Sequence, residues 1–182
     1  TLERITALAA RLFDVPMAIL SVVDRDRVWF KCRHGLPDVS EVSREPGFCA
    51  SGILQSGLWV INDAATDPRT ASSALVTGPL GVRFYAGMPL TSPDGHMLGT
   101  VCVLGTEPRA VTSAEEITLR DLSVLIMHEL EVRLDTQRAV ASAVQSSQLT
   151  AERLAAETAQ AAEAFRVTAQ MLAAETASAA EV

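Results

Sequence analysis

Residues 109–182 contain neither glycine nor proline, although the chain carries ten of one and eight of the other. That excludes tight turns and hairpins from the last part of the chain and leaves nearly continuous helix as its reading. Cysteine is scarce: Cys32, Cys49 and Cys102 are the only three, and none stands close enough in sequence to another for a zinc knuckle or a redox pair. Positive charge is also in deficit, with 15 Lys and Arg against 22 Asp and Glu, a net charge of −7. With no basic stripe or polybasic cluster, nucleic acid and anionic lipid are not expected partners. No apolar run has the length of a membrane span, so no membrane insertion is expected. Nor is there a signal peptide: Glu3, Arg4 and Arg11 interrupt residues 1–13, which read as an amphipathic helix. An odd cysteine count without a secretion signal points to a reducing, cytoplasmic setting. Thr1 is not an initiator residue, and the chain reads as a fragment of a larger protein.

What is present is enough for a core. Apolar residues make up 48% of the 182, which fits one ordinary domain with an appendage. Leu2, Ile5, Leu8, Ala9 and Leu12 recur at helical spacing, and Pro16 stops that helix. Residues 17–23 are apolar and β-prone. After the polar turn 24–27, residues 28–34 alternate, with Val28, Phe30 and Cys32 on one side, so the two runs form a hairpin. A short helix is expected over 48–56, stopped by Gly57, then a strand over 58–61. Residues 62–82 form a long irregular stretch, and loops of that length in a compact domain are functional or mobile. Strands over 83–91 and 97–104 flank Asp94-Gly95, a strong hairpin signal. The order predicts an α+β fold, an antiparallel sheet with helices packed on one face, plus a long C-terminal helix.

Several segments in this order carry a family resemblance. They are Phe13-Asp14-Val15-Pro16-Met17-Ala18, Ser21-Val22-Val23-Asp24, Phe30-Lys31 with Gly35-Leu36, and Phe48-Cys49-Ala50. Asp63 and Asp67-Pro68-Arg69 follow, then Arg83-Phe84-Tyr85-Ala86-Gly87-Met88-Pro89-Leu90 and Gly99-Thr100-Val101-Cys102-Val103-Leu104. Together they resemble the GAF domains of bacterial sensor kinases and cyclic-di-GMP enzymes over residues 1–135, with 136–182 a helical linker. Gly105 departs from the pattern, since this subgroup usually has aspartate there. The resemblance implies a GAF/PAS-like sheet and a pocket between the sheet and the short helix plus loop. Its candidate wall is Phe48, Cys49, Ser51, Ile53, Asp63, Arg69, Phe84, Tyr85, Met88 and Cys102, with Tyr85 and Arg69 as polar handles. Gly87 and Gly99 mark places where strands bend or another backbone comes close.

In the last segment, Thr112 and Glu115 have the spacing of a capping box. Ile117, Leu122, Ile126, Leu130 and Leu134 form a stripe expected to pack on the sheet. From Val140 the spacing alternates between four and three: Val144, Ser147, Ala151, Leu154, Thr158, Ala161, Phe165, Thr168 and Leu172 follow a heptad rhythm. Such a polar, small-residue seam is marginal alone and calls for a parallel partner, which predicts a homodimer through the C-terminal helix.

Few residues stand in patterns that carry chemistry. Cys49 begins a short helix, where a thiol pKa falls, and the free methionine-(R)-sulfoxide reductases of the GAF family have a cysteine in a similar position. Those enzymes also need a partner cysteine in the long loop, and residues 62–82 have none. Cys32 and Cys102 read as packed strand residues. His34, His96 and His128 stand apart, with no metal-site spacing, and Asp24, Asp26, Asp63 and Asp67 read as turn residues. One axial histidine suffices for haem, so the histidine count leaves haem open. No cysteine precedes a histidine, as the resemblance would require for an attached bilin, and Asn62-Asp63 lacks the Asn-Lys start of the cyclic-nucleotide GAF pattern. No cofactor is required by the sequence. The expectation is a non-catalytic sensory domain that binds a small ligand or partner. It would relay that state through the dimeric helix to a kinase or cyclase output module, as in two-component histidine kinases. A ligand-free dimerisation scaffold is the alternative, and a sulfoxide reductase the third reading.

Overall fold

The computed structural model describes residues 1–36, 39–45 and 47–179, with side chains described through Met171. Two units are distinguishable, Thr1–Glu131 and Val132–Val182. The first is built from helix α1 (Leu2–Leu12), strands β1 (Met17–Val23), β2 (Arg27–His34) and β3 (Glu41–Ser43), and helix α2 (Cys49–Gly52). Strand β4 (Trp59–Ile61), helix α3 (Ala74–Thr77), strands β5 (Phe84–Thr91) and β6 (Met97–Gly105) and the first part of helix α4 (Ser113–Ala179) complete it. The six strands pair antiparallel throughout, in the order β3-β2-β1-β6-β5-β4. The fold is α+β, as the order of sequence signals predicts.

Every strand but β3 divides its side chains between two cores. Ala18, Leu20, Ala86, Met88, Val101 and Val103 face one cluster, which α1 and its C-cap residue close with Leu2, Ala9, Ala10 and Phe13, and α4 closes with Leu119, Leu122, Ile126 and Met127. Met17, Ile19, Tyr85, Cys102 and Leu104 face the other, closed by Phe48, Cys49, Ala50, Ala64 and Val76 of α2, α3 and the segments around them. The long helices thus gather on one face, and the irregular segment with its two single-turn helices covers the other. The α4 stripe is shorter than the sequence pattern: Leu122 and Ile126 are buried and Leu130 partly so, but Ile117 and Leu134 lie exposed. The buried face uses Leu119 and Met127 instead, a three-and-four spacing that follows the 3.6-residue turn better than steps of four.

Three other expectations change. Val28, Phe30 and Cys32 do not share a face. Ser21 pairs with Phe30 while Leu20 pairs with Cys32, so Lys31 is an extra residue in β2. This bulge reverses the alternation, sending Cys32 under α1 and leaving Val28 and Phe30 on the opposite face. The helix expected over 48–56 is only Cys49–Gly52. The edge strand β3 and the turn α3 were absent from the sequence pattern because elements of three and four residues set up no periodicity.

Gly99 shows why a bare position is needed in the sheet centre. A Cβ there would lie 1.9 Å from the backbone oxygen of Ser21 on β1. Gly87 makes room for a side chain: the Tyr85 hydroxyl would be 2.3 Å from a Cβ at that position. The phenol therefore lies along β5 rather than standing up from it.

The start of α4 is fastened as a capping box. The Thr112 backbone N–H donates to Glu115 Oε2 at 2.8 Å, and the Glu115 N–H donates to Thr112 Oγ1 at 3.2 Å. Arg109 pairs with the same carboxylate, donates to the Phe13 carbonyl at 2.6 Å and lies over the Phe84 ring. One carboxylate thus ties the helix start to the end of α1. Burial alone raises the Glu115 carboxyl pKa, but the Thr112 N–H, its hydroxyl and the Arg109 guanidinium outweigh it and hold the group below its ordinary value. A depressed acid stabilises the fold above its unfolded pKa, and that contribution fades as pH falls through the folded one. Glu115→Ala is expected to cost about 1–2 kcal/mol at neutral pH. The difference in melting temperature from wild type should shrink below about pH 4, as followed by circular dichroism.

Candidate functional site

On the α2 face of the sheet lies a cavity of about 610 Å3. Its floor is Ile19 of β1, Val28 and Phe30 of β2, Tyr85 of β5 and Leu104 of β6. Phe48, Cys49 and Ala50 form one wall, and Ser73, Ala74 and Leu75 at the start of α3 another. Around β2 and β3, Asp26, Arg27, Glu41 and Ser43 supply the polar lining. Arg27 is already engaged, 2.8 Å from Glu41 and 3.4 Å from Asp24, so the carboxylates keep the rim predominantly acidic.

The floor holds a buried group of thiols and hydroxyls. Cys49 Sγ lies 3.7 Å from Cys102 Sγ, and the Tyr85 hydroxyl donates to Cys49 Sγ at 3.5 Å. Cys102 Sγ also lies 3.6 Å from the Ile19 carbonyl, and Ser21 Oγ is 3.0 Å from Thr100 Oγ1. The Phe48 ring tilts against Tyr85, with centroids 5.3 Å apart. A hydrogen bond from Cys102 lowers the Cys49 thiol, against the opposing effect of burial and with help from the Thr100, Ser21 and Tyr85 hydroxyls. Burial drives Cys102 and Tyr85 well above their ordinary values. The lowering at Cys49 thus comes from its neighbours across the sheet, α2 being a single turn. Two cysteines distant in sequence are brought into contact because α2 lies on β6, a proximity that spacing along the chain does not reveal.

Of the ten residues expected to form the wall, Phe48, Cys49 and Tyr85 line the cavity and Cys102 sits directly behind Cys49. Ser51 turns back to accept the Gly47 N–H at 2.7 Å, and Ile53 caps the end of α2. Asp63 accepts the Ala65 N–H at 3.1 Å, holding its own turn. Phe84 and Met88 point to the opposite core. Arg69 does not reach the cavity: Asp67 holds its guanidinium, which stacks 4.4 Å over the Trp59 ring. Trp59 in turn donates to the Gly47 carbonyl at 2.7 Å, locking the entrance to α2. Val28 and Phe30 were missed as lining residues, although their alternation in β2 was the available signal. Among the described residues no three of His, Cys, Asp and Glu are grouped to hold a metal, and no helix is long and apolar enough to cross a membrane.

A sheet with long helices on one face and a cavity under short helices on the other agrees with the family comparison: the GAF domain model matches residues 1–130. The chain belongs to the GAF family. Domains of this family are typically sensory or regulatory. A cyclic di-GMP phosphodiesterase of Pseudomonas aeruginosa is 38% identical over 117 residues, which cover 64% of this chain and 20% of that protein. The GAF chain thus spans about a fifth of this relative's length. Among solved structures, a free methionine-R-sulfoxide reductase of Neisseria meningitidis, in complex with its substrate, is similar with a TM-score of 0.63 and 18% identity, covering 74% of this chain and 78% of that one. A domain assigned to a two-component sensor histidine kinase of Sinorhizobium meliloti gives 0.59 and 13%, covering 75% and 94%. At these identities the structural likeness concerns the fold alone.

Proposed function

We propose that this GAF domain is a non-catalytic sensory module that takes a small ligand into the α2-face cavity and passes its state to α4, which pairs with a second copy and leads to an output domain. The observation that carries this reading is the alternation of β5 and β6. Tyr85 and Leu104 line the cavity, while their neighbours Ala86 and Val103 pack in the core that holds Leu122 and Ile126 of α4. Ligand face and helix face are therefore the two sides of the same strands. A ligand that prefers one position of Tyr85 biases the packing of α4 through a layer too close-packed to absorb the change. The mostly apolar floor and acidic rim favour a compact, largely apolar ligand that is neutral or cationic. In the parent protein the output would be a kinase or cyclic-di-GMP enzyme, the second class being that of the Pseudomonas relative.

A thermal-shift screen of small metabolites tests this, with Ala50→Trp as the filled-cavity control. At about 100 times its dissociation constant a true ligand stabilises by about 2.7 kcal/mol. That shift is expected in the wild type and absent in the filled variant. The same ligand should alter the dimer dissociation constant, because coupling between sites is reciprocal. A shift of equal size in both proteins, or none with any metabolite, would favour a scaffold that needs no ligand.

A further inference from the structure

We propose that Cys49 and Cys102 form a hydroperoxide-reactive dithiol, with Cys49 the attacking sulfur and Cys102 the resolving one, which closes to a disulfide between α2 and β6. The proposal does not depend on a metabolite occupying the cavity or on a relay to α4.

The two residues divide the labour by position. Cys49 lines the cavity, whereas Cys102 is fully buried behind it. A small hydroperoxide entering the cavity meets Cys49 first. The sulfurs are 3.7 Å apart and both thiols are free, so closing to a bond of about 2.05 Å takes a movement of under about 2 Å. The Tyr85 hydroxyl, 3.5 Å from Cys49 Sγ, is placed to donate to a thiolate there. Cys102, the Thr100 and Ser21 hydroxyls and Tyr85 lower the Cys49 thiol, and burial raises Cys102. That difference suits an attacking thiolate beside a thiol that waits. Cys32, carried to the other face by the Lys31 bulge, is removed from this chemistry.

The steps balance. The Cys49 thiolate attacks one oxygen of the hydroperoxide, an S–O bond forms, the O–O bond breaks, and the alcohol or water leaves after taking up a proton. Cys49 is now a sulfenic acid, oxidised by two electrons. The Cys102 sulfur attacks it, the S–S bond forms, the S–O bond breaks, and water leaves with the Cys102 proton. Two thiols and one hydroperoxide give one disulfide, one alcohol or water, and a further water.

The test is intact-mass analysis and non-reducing peptide mapping of the full chain after hydrogen peroxide, without reductant. The expected result is loss of two hydrogens, a Cys49–Cys102 linked peptide that a dithiol reverses, and oxidation at least about tenfold faster than at Cys32. In Cys102→Ser, Cys49 should stop at a sulfenic acid trapped by a cyclic 1,3-diketone, while Cys32→Ser should behave as wild type. The wild-type map decides the matter even if a variant fails to fold. A link through Cys32 or to a second copy would overturn the proposal. So would Cys49 sulfinic acid with Cys102 free, or thiols inert in the native chain yet oxidised once unfolded.

Discussion

Gly99→Ala is expected to remove a large share of the domain's stability. The new methyl group would stand 1.9 Å from the Ser21 backbone oxygen and 2.9 Å from the Val22 Cα, so no side-chain rotation relieves the clash. Gly99 pairs with Val22 on one side and Leu90 on the other, in the centre of the sheet. Parting β1 from β6 there would break ladder hydrogen bonds and strain the buried Ser21–Thr100 contact. The cost is placed at about 4 kcal/mol, roughly a thousandfold in the folded-to-unfolded ratio and a large share of an ordinary domain's stability. Gly57→Ala is the matched control: a Cβ there meets nothing within 4 Å, so the change should be neutral or slightly stabilising. Urea unfolding followed by fluorescence reads both. A Gly99→Ala protein within about 1 kcal/mol of wild type would mean that β1 and β6 are not joined at this register.

Ending the chain after Glu131 is expected to convert a dimer into a folded monomer. The first unit keeps both cores, including the α4 residues Leu119, Leu122 and Ile126, so it should fold without the rest. The removed segment holds Val140, Val144, Leu154 and Phe165 of the heptad seam, all exposed, from 52% to 77%. Leu172 of that seam has a side chain outside the described residues. Burying an apolar side chain is worth about 1.5–3 kcal/mol. Four such positions from each of two chains give a gross gain of about 12–24 kcal/mol, enough to leave roughly the 8 kcal/mol of a micromolar complex after the cost of association. Multi-angle light scattering of both lengths reads the result. A full-length monomer would end the proposed relay through a paired helix. A shortened chain that stays dimeric would shift the interface to the apolar residues exposed on the first unit, Leu8 and Leu12 on α1 and Val124 and Leu125 on α4.

Much of the architecture was legible because periodicity reports which face a residue takes. Met17–Val23 and Leu2–Leu12 are found where the sequence pattern places them, and the Thr112–Glu115 cap forms the expected reciprocal bonds. The site was less legible, for reasons that differ by residue. The Lys31 bulge reverses the side to which Cys32 points, and nothing local in β2 announces an extra residue. Arg69 looks like a free basic handle in a loop, but Asp67 is near enough to take its guanidinium and Trp59 offers it a ring. The Cys49–Cys102 contact depends on where a single helical turn lands on a strand 53 residues away, which is tertiary information. Tyr85 was a candidate through the family resemblance alone; the room that Gly87 leaves for its ring is visible only in the structure.

Strands β3 and β4 are the two margins of the sheet, and each is three residues long. An unpaired margin is a template on which another chain can add a strand, and chains that add strands at both margins grow without limit. Three residues offer too few free N–H and C=O groups to hold an incoming strand. Neither margin by itself is therefore a good template for an added strand, and growth of the sheet by copies pairing at β3 or β4 is disfavoured.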